Sequence, residues 1–253
     1  MEEHGDRREV TSLLFLPGFM QRGEAWAAVA ERVAQRYPSA PLDFASHTFR
    51  ARLAEIEAAA ADGAALVGYS LGGRLALHAA LRAPGRYRAL VLVGASAGIE
   101  LGGERRARRM ADESLAAWIE RSSIEAVVER WERQAVFASQ PPRLVAAQRH
   151  GRLSHDPAKL ATLLRSAGQG AVAPVWERLD ELSMPVLVIA GARDDAYVRA
   201  AERMAAALPR GEARLVAGAG HAPQLERPAA VAGALLEFLD KHLGEGGGVE
   251  RDA

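Results

Sequence analysis

Three side chains in this chain can act together on a proton or a carbonyl: a serine, a histidine and an aspartate. Ser70 lies in Gly68-Tyr69-Ser70-Leu71-Gly72, a Gly-x-Ser-x-Gly motif led by the apolar run 64–67 and followed at once by helix-forming residues. Strand, sharp turn and helix in that order make a nucleophile elbow, which lifts the serine hydroxyl clear of the backbone. Gly68 and Gly72 leave room where a side chain would strike the neighbouring strand or helix. The alternative is a glycine-rich turn with an idle serine, since the motif also arises by chance in a chain with 24 glycines. A serine hydroxyl reacts poorly until an imidazole takes its proton and a carboxylate orients that imidazole.

Of the seven histidines, His221 is placed best, in the loop Gly218-Ala219-Gly220-His221 after the last strand candidate. Otherwise it is a loop residue bonded to backbone. His78, in the helix after the elbow, and His242, near the end of the terminal helix, read as structural or solvent-exposed. The acid should follow a strand between Ser70 and His221, and Asp194 stands at the end of the run 185–190. Asp194 or Asp195 can instead cap the next helix; Asp195 can do so while Asp194 orients His221. The resulting order Ser…Asp…His is the one α/β-hydrolases use. The backbone N–H of Leu71, at a helix N-terminus, and that of Phe19, in the loop Leu16-Pro17-Gly18-Phe19-Met20, are candidates for holding an oxyanion beside Ser70. The loop's other reading is an ordinary strand-to-helix turn.

The elements that must position these residues follow from hydrophobic patterning. Nearly continuous apolar runs at 12–16, 64–68, 89–94, 185–191 and 213–217, with a weaker one at 40–44, suit strands buried on both faces of a parallel sheet. Helical stretches at 24–37, 50–61, 71–83, 199–208 and 228–243 alternate with them. Alternation of this kind indicates a mostly parallel, doubly wound α/β sheet, with ligands at the carboxyl ends of the strands. It stops between 98 and 182, where Trp118, Ile119, Val127, Val128, Trp131 and Phe137 supply the apolar positions of helices. The expected organisation is an α/β core over 1–97 and 183–243, an inserted helical cap over 98–182, and a disordered tail over 244–253.

Composition excludes several classes. Lys+Arg and Asp+Glu both total 32, so no basic excess points to nucleic acid or an anionic membrane. Cysteine is absent, which removes disulfides, thiol nucleophiles and cysteine metal sites. No apolar run approaches a membrane span, and residues 1–10 are polar without the apolar core of a signal peptide. No His/Asp/Glu cluster has metal-ligand spacing, and there is no P-loop or G-x-G-x-x-G after a strand. A cytoplasmic protein with no cofactor, no metal, no nucleic-acid partner and no membrane contact is expected, as a monomer or small homo-oligomer.

Over nearly its whole length the chain resembles the 2-succinyl-6-hydroxy-2,4-cyclohexadiene-1-carboxylate synthases of menaquinone biosynthesis, a branch of the α/β-hydrolases. The likeness is carried by Gly68-Tyr69-Ser70-Leu71-Gly72-Gly73-Arg74, by 104–109, by 131–139 with Gln148-Arg149, and by Gly191-Ala192-Arg193-Asp194 and Gly218-Ala219-Gly220-His221. It implies a cofactor-independent lyase that eliminates pyruvate from a small cyclohexene bearing several carboxylates, with Ser70 as a base. It further implies that Arg74, Arg109 and Arg149 bind the carboxylates, with Trp131 and Tyr69 at the pocket. Without the resemblance each arginine reads as a solvated surface charge and Trp131 as core. Two stretches depart from the family pattern. Pro17-Gly18 stands where the family usually has His-Gly, and 42–48 is shorter than the usual Asp-x-Pro-Gly-His-Gly stretch. His47 matches that motif's histidine by position alone. The same three residues would also serve a serine carboxylesterase working through an acyl-enzyme, and a catalytically idle binding protein is the remaining reading.

Overall fold

A computed structural model describes residues 11–244. The expectations for residues 1–10 and for 245–253 of the tail lie outside the described residues. Six strands form one parallel sheet in the order β2-β1-β3-β4-β5-β6. They are β1 (Leu13–Leu16), β2 (Ser39–Pro41), β3 (Ala65–Tyr69), β4 (Ala89–Val93), β5 (Val186–Gly191) and β6 (Gly211–Val216). The helices joining them are α1 (Ala27–Val33), α2 (Phe49–Ala59), α3 (Leu71–Arg82) and α8 (Asp195–Ala207), and α9 (Pro223–Glu226) and α10 (Pro228–Leu243) follow the last strand. Four more stand between β4 and β5: α4 (Gly102–Ile119), α5 (Ile124–Glu132), α6 (Pro142–Leu153) and α7 (Pro157–Ala167).

Continuous apolar runs become the central strands because both faces of the sheet are covered. Every residue of β1, β3, β4 and β5 is buried. One core, with Leu66, Leu90, Val188 and Leu75, fills one side; Val67, Val91, Ile189 and Phe238 belong to the other. The edge strands differ. β6 exposes Ala213, Arg214 and Leu215, β2 shrinks to three residues, and each begins earlier than its apolar run suggests. The stretch expected as one helix over 24–37 divides into a 3-10 turn (Gly23–Trp26) and the short α1. Trp26 is fully buried and its indole N–H donates to the Leu16 carbonyl at 3.1 Å, which pins the turn to the end of β1.

The inserted helices pack around a third core built from Ala116, Ile119, Val127, Val128, Leu160 and Met20. Met20 belongs to the loop after β1, so this core ties the insertion to the strand ends. Among the described residues no helix is long and apolar enough to cross a membrane.

Candidate active site

β3 ends at Tyr69 and α3 begins at Leu71, which leaves Ser70 alone to make the turn. Its φ of 50° and ψ of −109° put a non-glycine residue in a sparsely populated region. The neighbouring glycines make that turn possible. A Cβ on Gly68 would lie 2.6 Å from the Gly73 nitrogen, and one on Gly72 would lie 2.6 Å from the Pro17 carbonyl oxygen. The Ser70 N–H donates to the Val93 carbonyl at 2.8 Å, tying the turn to β4.

His221, in the loop between β6 and α9, and Asp194, just beyond β5, converge on this turn. His221 Nδ1 lies 2.8 Å from Asp194 Oδ2, and its Nε2 lies 3.4 Å from Ser70 Oγ. The first contact is a short charge-assisted hydrogen bond. The second is long for a hydroxyl, as resting sites often are before a substrate tightens them. With Nδ1–H donated to the carboxylate, Nε2 presents its lone pair to the serine hydroxyl. The arrangement can pass a proton from Ser70 to His221. Asp194 also caps α8, because its Oδ1 accepts from the Tyr197 N–H at 3.5 Å. That corrects the division of labour read from the sequence: the cap is Asp194 itself, not Asp195, which is the first residue of the helix.

Two tyrosine rings hold the imidazole. Tyr197 stands 4.4 Å and Tyr69 5.5 Å from His221, centroid to centroid. Burial raises the pKa of both phenols, most strongly for Tyr69. The Tyr197 hydroxyl accepts from Gln169 Nε2 at 2.8 Å.

Ser70 and His221 open into a cavity of about 370 Å³. Phe19, Tyr69, Leu71, Arg74 and Trp131 line it, so these sequence candidates share one wall system with the relay. Phe19 packs against Trp131 with the rings tilted by 52° and their centroids 5.2 Å apart. Leu71 opens α3, so its N–H has no acceptor within the helix and is available to an anion at Ser70.

Arg74, in the first turn of α3, is buried and donates to the Ala167 carbonyl at 2.8 Å. Burial lowers its pKa to about 10, which leaves it charged at neutral pH.

The other two arginines differ from expectation. Arg109 faces a separate depression with Arg106 and Met110, whereas Arg108 lines the reaction cavity. One residue along an α-helix is a rotation of about 100°. Arg108 is fixed by Asp112, which accepts from its Nε at 2.8 Å. Arg149 is half-exposed, pairs with Glu132 and does not line the cavity; Arg152, nearly a turn further along α6, does. Arg152 is 3% exposed and donates to Glu132 at 3.2 Å and to Gln148 at 2.7 Å. The inward stripe of α4, with Asp112, Leu115, Ala116 and Ile119, is the signal that could have singled out Arg108, since that residue falls closer to its middle than Arg109. Among the described residues no three His, Asp or Glu side chains are grouped to hold a metal ion.

A family profile described as the alpha/beta hydrolase family matches residues 13–234. The chain belongs to that family. Within it, the chain resembles the 2-succinyl-6-hydroxy-2,4-cyclohexadiene-1-carboxylate synthases. The enzyme of that name from Klebsiella pneumoniae subsp. pneumoniae is 30% identical over 244 residues, 90% of this chain and 93% of its own length. A Bacillus subtilis (strain 168) protein provisionally given the same name is 38% identical over 178 residues. That alignment spans 69% of this chain and 65% of the relative. Among solved structures, MenH from S. aureus superposes with a TM-score of 0.84 at 27% identity, covering 92% of this chain and 94% of MenH.

Proposed function

We propose that this protein is a lyase that releases pyruvate from a succinylated cyclohexene carboxylate, the elimination step expected of a menaquinone-pathway synthase. The observation that carries the reading is the set of three guanidiniums, Arg74, Arg108 and Arg152, brought from three helices to the cavity that holds Ser70. One carboxylate, Asp112, shares the lining and is bonded to Arg108 and to the Gly170 N–H, and Glu132, outside the lining, pairs with Arg152, so the three guanidiniums outnumber the acids beside them. The cavity therefore favours an anion with several carboxylates, and guanidinium forks match carboxylates in pairs of parallel hydrogen bonds.

In this reading Ser70 Oγ gives its proton to His221 and takes the activated proton of the substrate. The freed electron pair forms a ring double bond as the carbon–oxygen bond to the leaving group breaks. The leaving oxygen takes the proton from the imidazolium, and the enol formed relaxes to pyruvate. Asp194 stabilises the transient imidazolium, and the Phe19 and Leu71 N–H groups face charge developing on a substrate oxygen. No cofactor takes part. The helices over 98–182 act as the cap that excludes water from this chemistry.

The test is to supply purified protein with the pathway intermediate and follow pyruvate by lactate dehydrogenase and NADH. Pyruvate released in step with loss of intermediate is the expected result. Hydrolysis of simple esters without pyruvate release would replace this reading with the carboxylesterase one.

A further inference from the structure

Gln21 and Leu163 line the reaction cavity and also a second cavity, of about 340 Å³. Three cations line this second space: Arg22 from the loop after β1, Arg52 from α2 and Lys159 from α7. Among the described residues none of the three is ion-paired. Arg22 donates to the Ser154 hydroxyl and carbonyl, and Arg52 Nε donates to the Ser46 carbonyl. Arg52 is nonetheless buried, with its guanidinium 4.5 Å above the Phe44 ring.

The carboxylates nearby are committed to backbone N–H groups. Asp43 accepts from Gly23 at 2.6 Å, and Asp156 accepts from Ala158 at 2.8 Å and Lys159 at 3.2 Å as the cap of α7. Glu55, beside Arg52, accepts from Ala45 at 2.8 Å and Ser46 at 2.6 Å. Two imidazoles complete the wall, His47 and His155, and His155 Nε2 is buried without a partner among the described residues. Both rings register the local field. Burial, then Lys159 and Arg52, lowers the pKa of His47; burial, then Arg22 and Arg52, pushes that of His155 down to about 4. A neutral imidazole keeps one N–H to donate.

We propose that this cavity is a second anion site, taking a small doubly charged oxyanion, a dicarboxylate or a phosphate, between Arg22, Arg52 and Lys159. Cations gathered in a concave, partly desolvated space raise one another's energy, and a bound oxyanion offsets that cost. The arrangement differs from an ordinary surface cluster because the acids direct their oxygens to loop and helix-cap N–H groups instead of pairing with the three cations; Asp43 and Asp156 keep their charge, and the lining still carries an excess of positive groups. The reaction cavity has its own three arginines and shares none of them with this site.

The experiment is histidine-ring NMR, titrating potassium phosphate and, separately, sodium succinate at fixed pH and ionic strength, with chloride as the balancing salt. The His47 and His155 resonances, assigned by His47→Gln and His155→Gln, are expected to shift saturably with one or both oxyanions. Arg22→Gln and Lys159→Gln should each raise the half-saturating concentration about tenfold, the loss of one charge-assisted contact. Arg108→Gln, in the reaction cavity, should leave it within about twofold. Shifts that never saturate, or a midpoint that follows Arg108→Gln instead of Lys159→Gln, would overturn the proposal. No turnover is measured, so the result is independent of the reaction proposed above.

Discussion

Asp194 serves two masters through its two oxygens. Oδ2 takes the His221 Nδ1–H at 2.8 Å, while Oδ1 caps α8 through the Tyr197 N–H. The ring of that same Tyr197 lies 4.4 Å from the His221 ring. One carboxylate thus fixes the imidazole directly and, through the helix it caps, the aromatic wall behind it.

This double use separates two substitutions. Asn caps helices about as well as Asp, whereas Ala forfeits about 1 kcal/mol of cap. Asp194→Asn should keep the melting temperature near wild type and still lose about 10³-fold or more in turnover, because the wrong imidazole tautomer is favoured. Asp194→Ala should lose both activity and several degrees of stability. Ser70→Ala and His221→Ala should match the activity loss with the fold intact. Pyruvate assays beside thermal melts read all four; near wild-type turnover in Ser70→Ala would remove Ser70 from the mechanism.

The central sheet was legible because strands buried on both faces must be apolar throughout, and β1, β3, β4 and β5 are. The edges were less so in their bounds: β6 is marked by its apolar run but begins at Gly211, and β2 at Ser39, because pairing with β5 and β1 extends them ahead of those runs, which residue types do not record. Elbow, acid and histidine were readable because each follows a strand end. The arginines were harder, because choosing between Arg108 and Arg109, or Arg149 and Arg152, requires the rotation of a helix about its axis, for which only the inward stripe of α4 gives a local signal. For α4 that rotation is set by packing against Leu160 and Leu164 of α7, which are distant from it in sequence. The cavity bearing Arg22, Arg52 and Lys159 left no local trace either, since its walls come from residues as far apart in the chain as Gln21 and Leu163.

Acid should destabilise the fold through two histidines. His78, whose ring meets Phe49 edge-on at 5.1 Å, has its pKa lowered to about 4 by burial, then by Arg74 and Arg178. His155 is likewise pushed down to about 4. Unfolded, both titrate near 6.5. Between those values the unfolded chain binds more protons than the folded one, so stability is fully present above pH 6.5 and declines as pH falls toward 4. Each histidine adds a slope of up to about 1.4 kcal/mol per pH unit. Denaturant melts across this range should show the decline, and His78→Leu should flatten it by about half. An unchanged slope in that variant would exclude His78 as a source.

Chelation should leave activity intact. The reaction cavity presents Arg74, Arg108 and Arg152, while Asp112 is already taken by Arg108 and the Gly170 N–H. A divalent cation there would meet like charge and no vacant carboxylate. Prolonged dialysis against EDTA should therefore preserve pyruvate release. Loss of activity that returns on adding a divalent ion would show a metal requirement.

The arginines give the sharpest division between lyase and esterase. A substrate with several carboxylates needs several fixed positive charges, whereas a neutral ester needs none. Losing one charge-assisted contact costs about 1.5–3 kcal/mol, roughly tenfold to over a hundredfold. Arg108→Ala and Arg152→Ala should therefore lower kcat/KM by that much on the pathway intermediate, and Arg74→Ala at least as much. Arg109→Ala should change it less than about threefold, because Arg109 faces another depression. Arg149→Ala should also be mild, since Glu132 keeps Arg152 as a partner at 3.2 Å. Hydrolysis of a small neutral ester should fall far less in the Arg74, Arg108 and Arg152 variants and stay near wild type in the other two. The measurement is the ratio of the two activities across the set. A large loss at Arg109 and Arg149 with indifference at Arg108 and Arg152 would mean that the helices turn other faces to the substrate than those seen here.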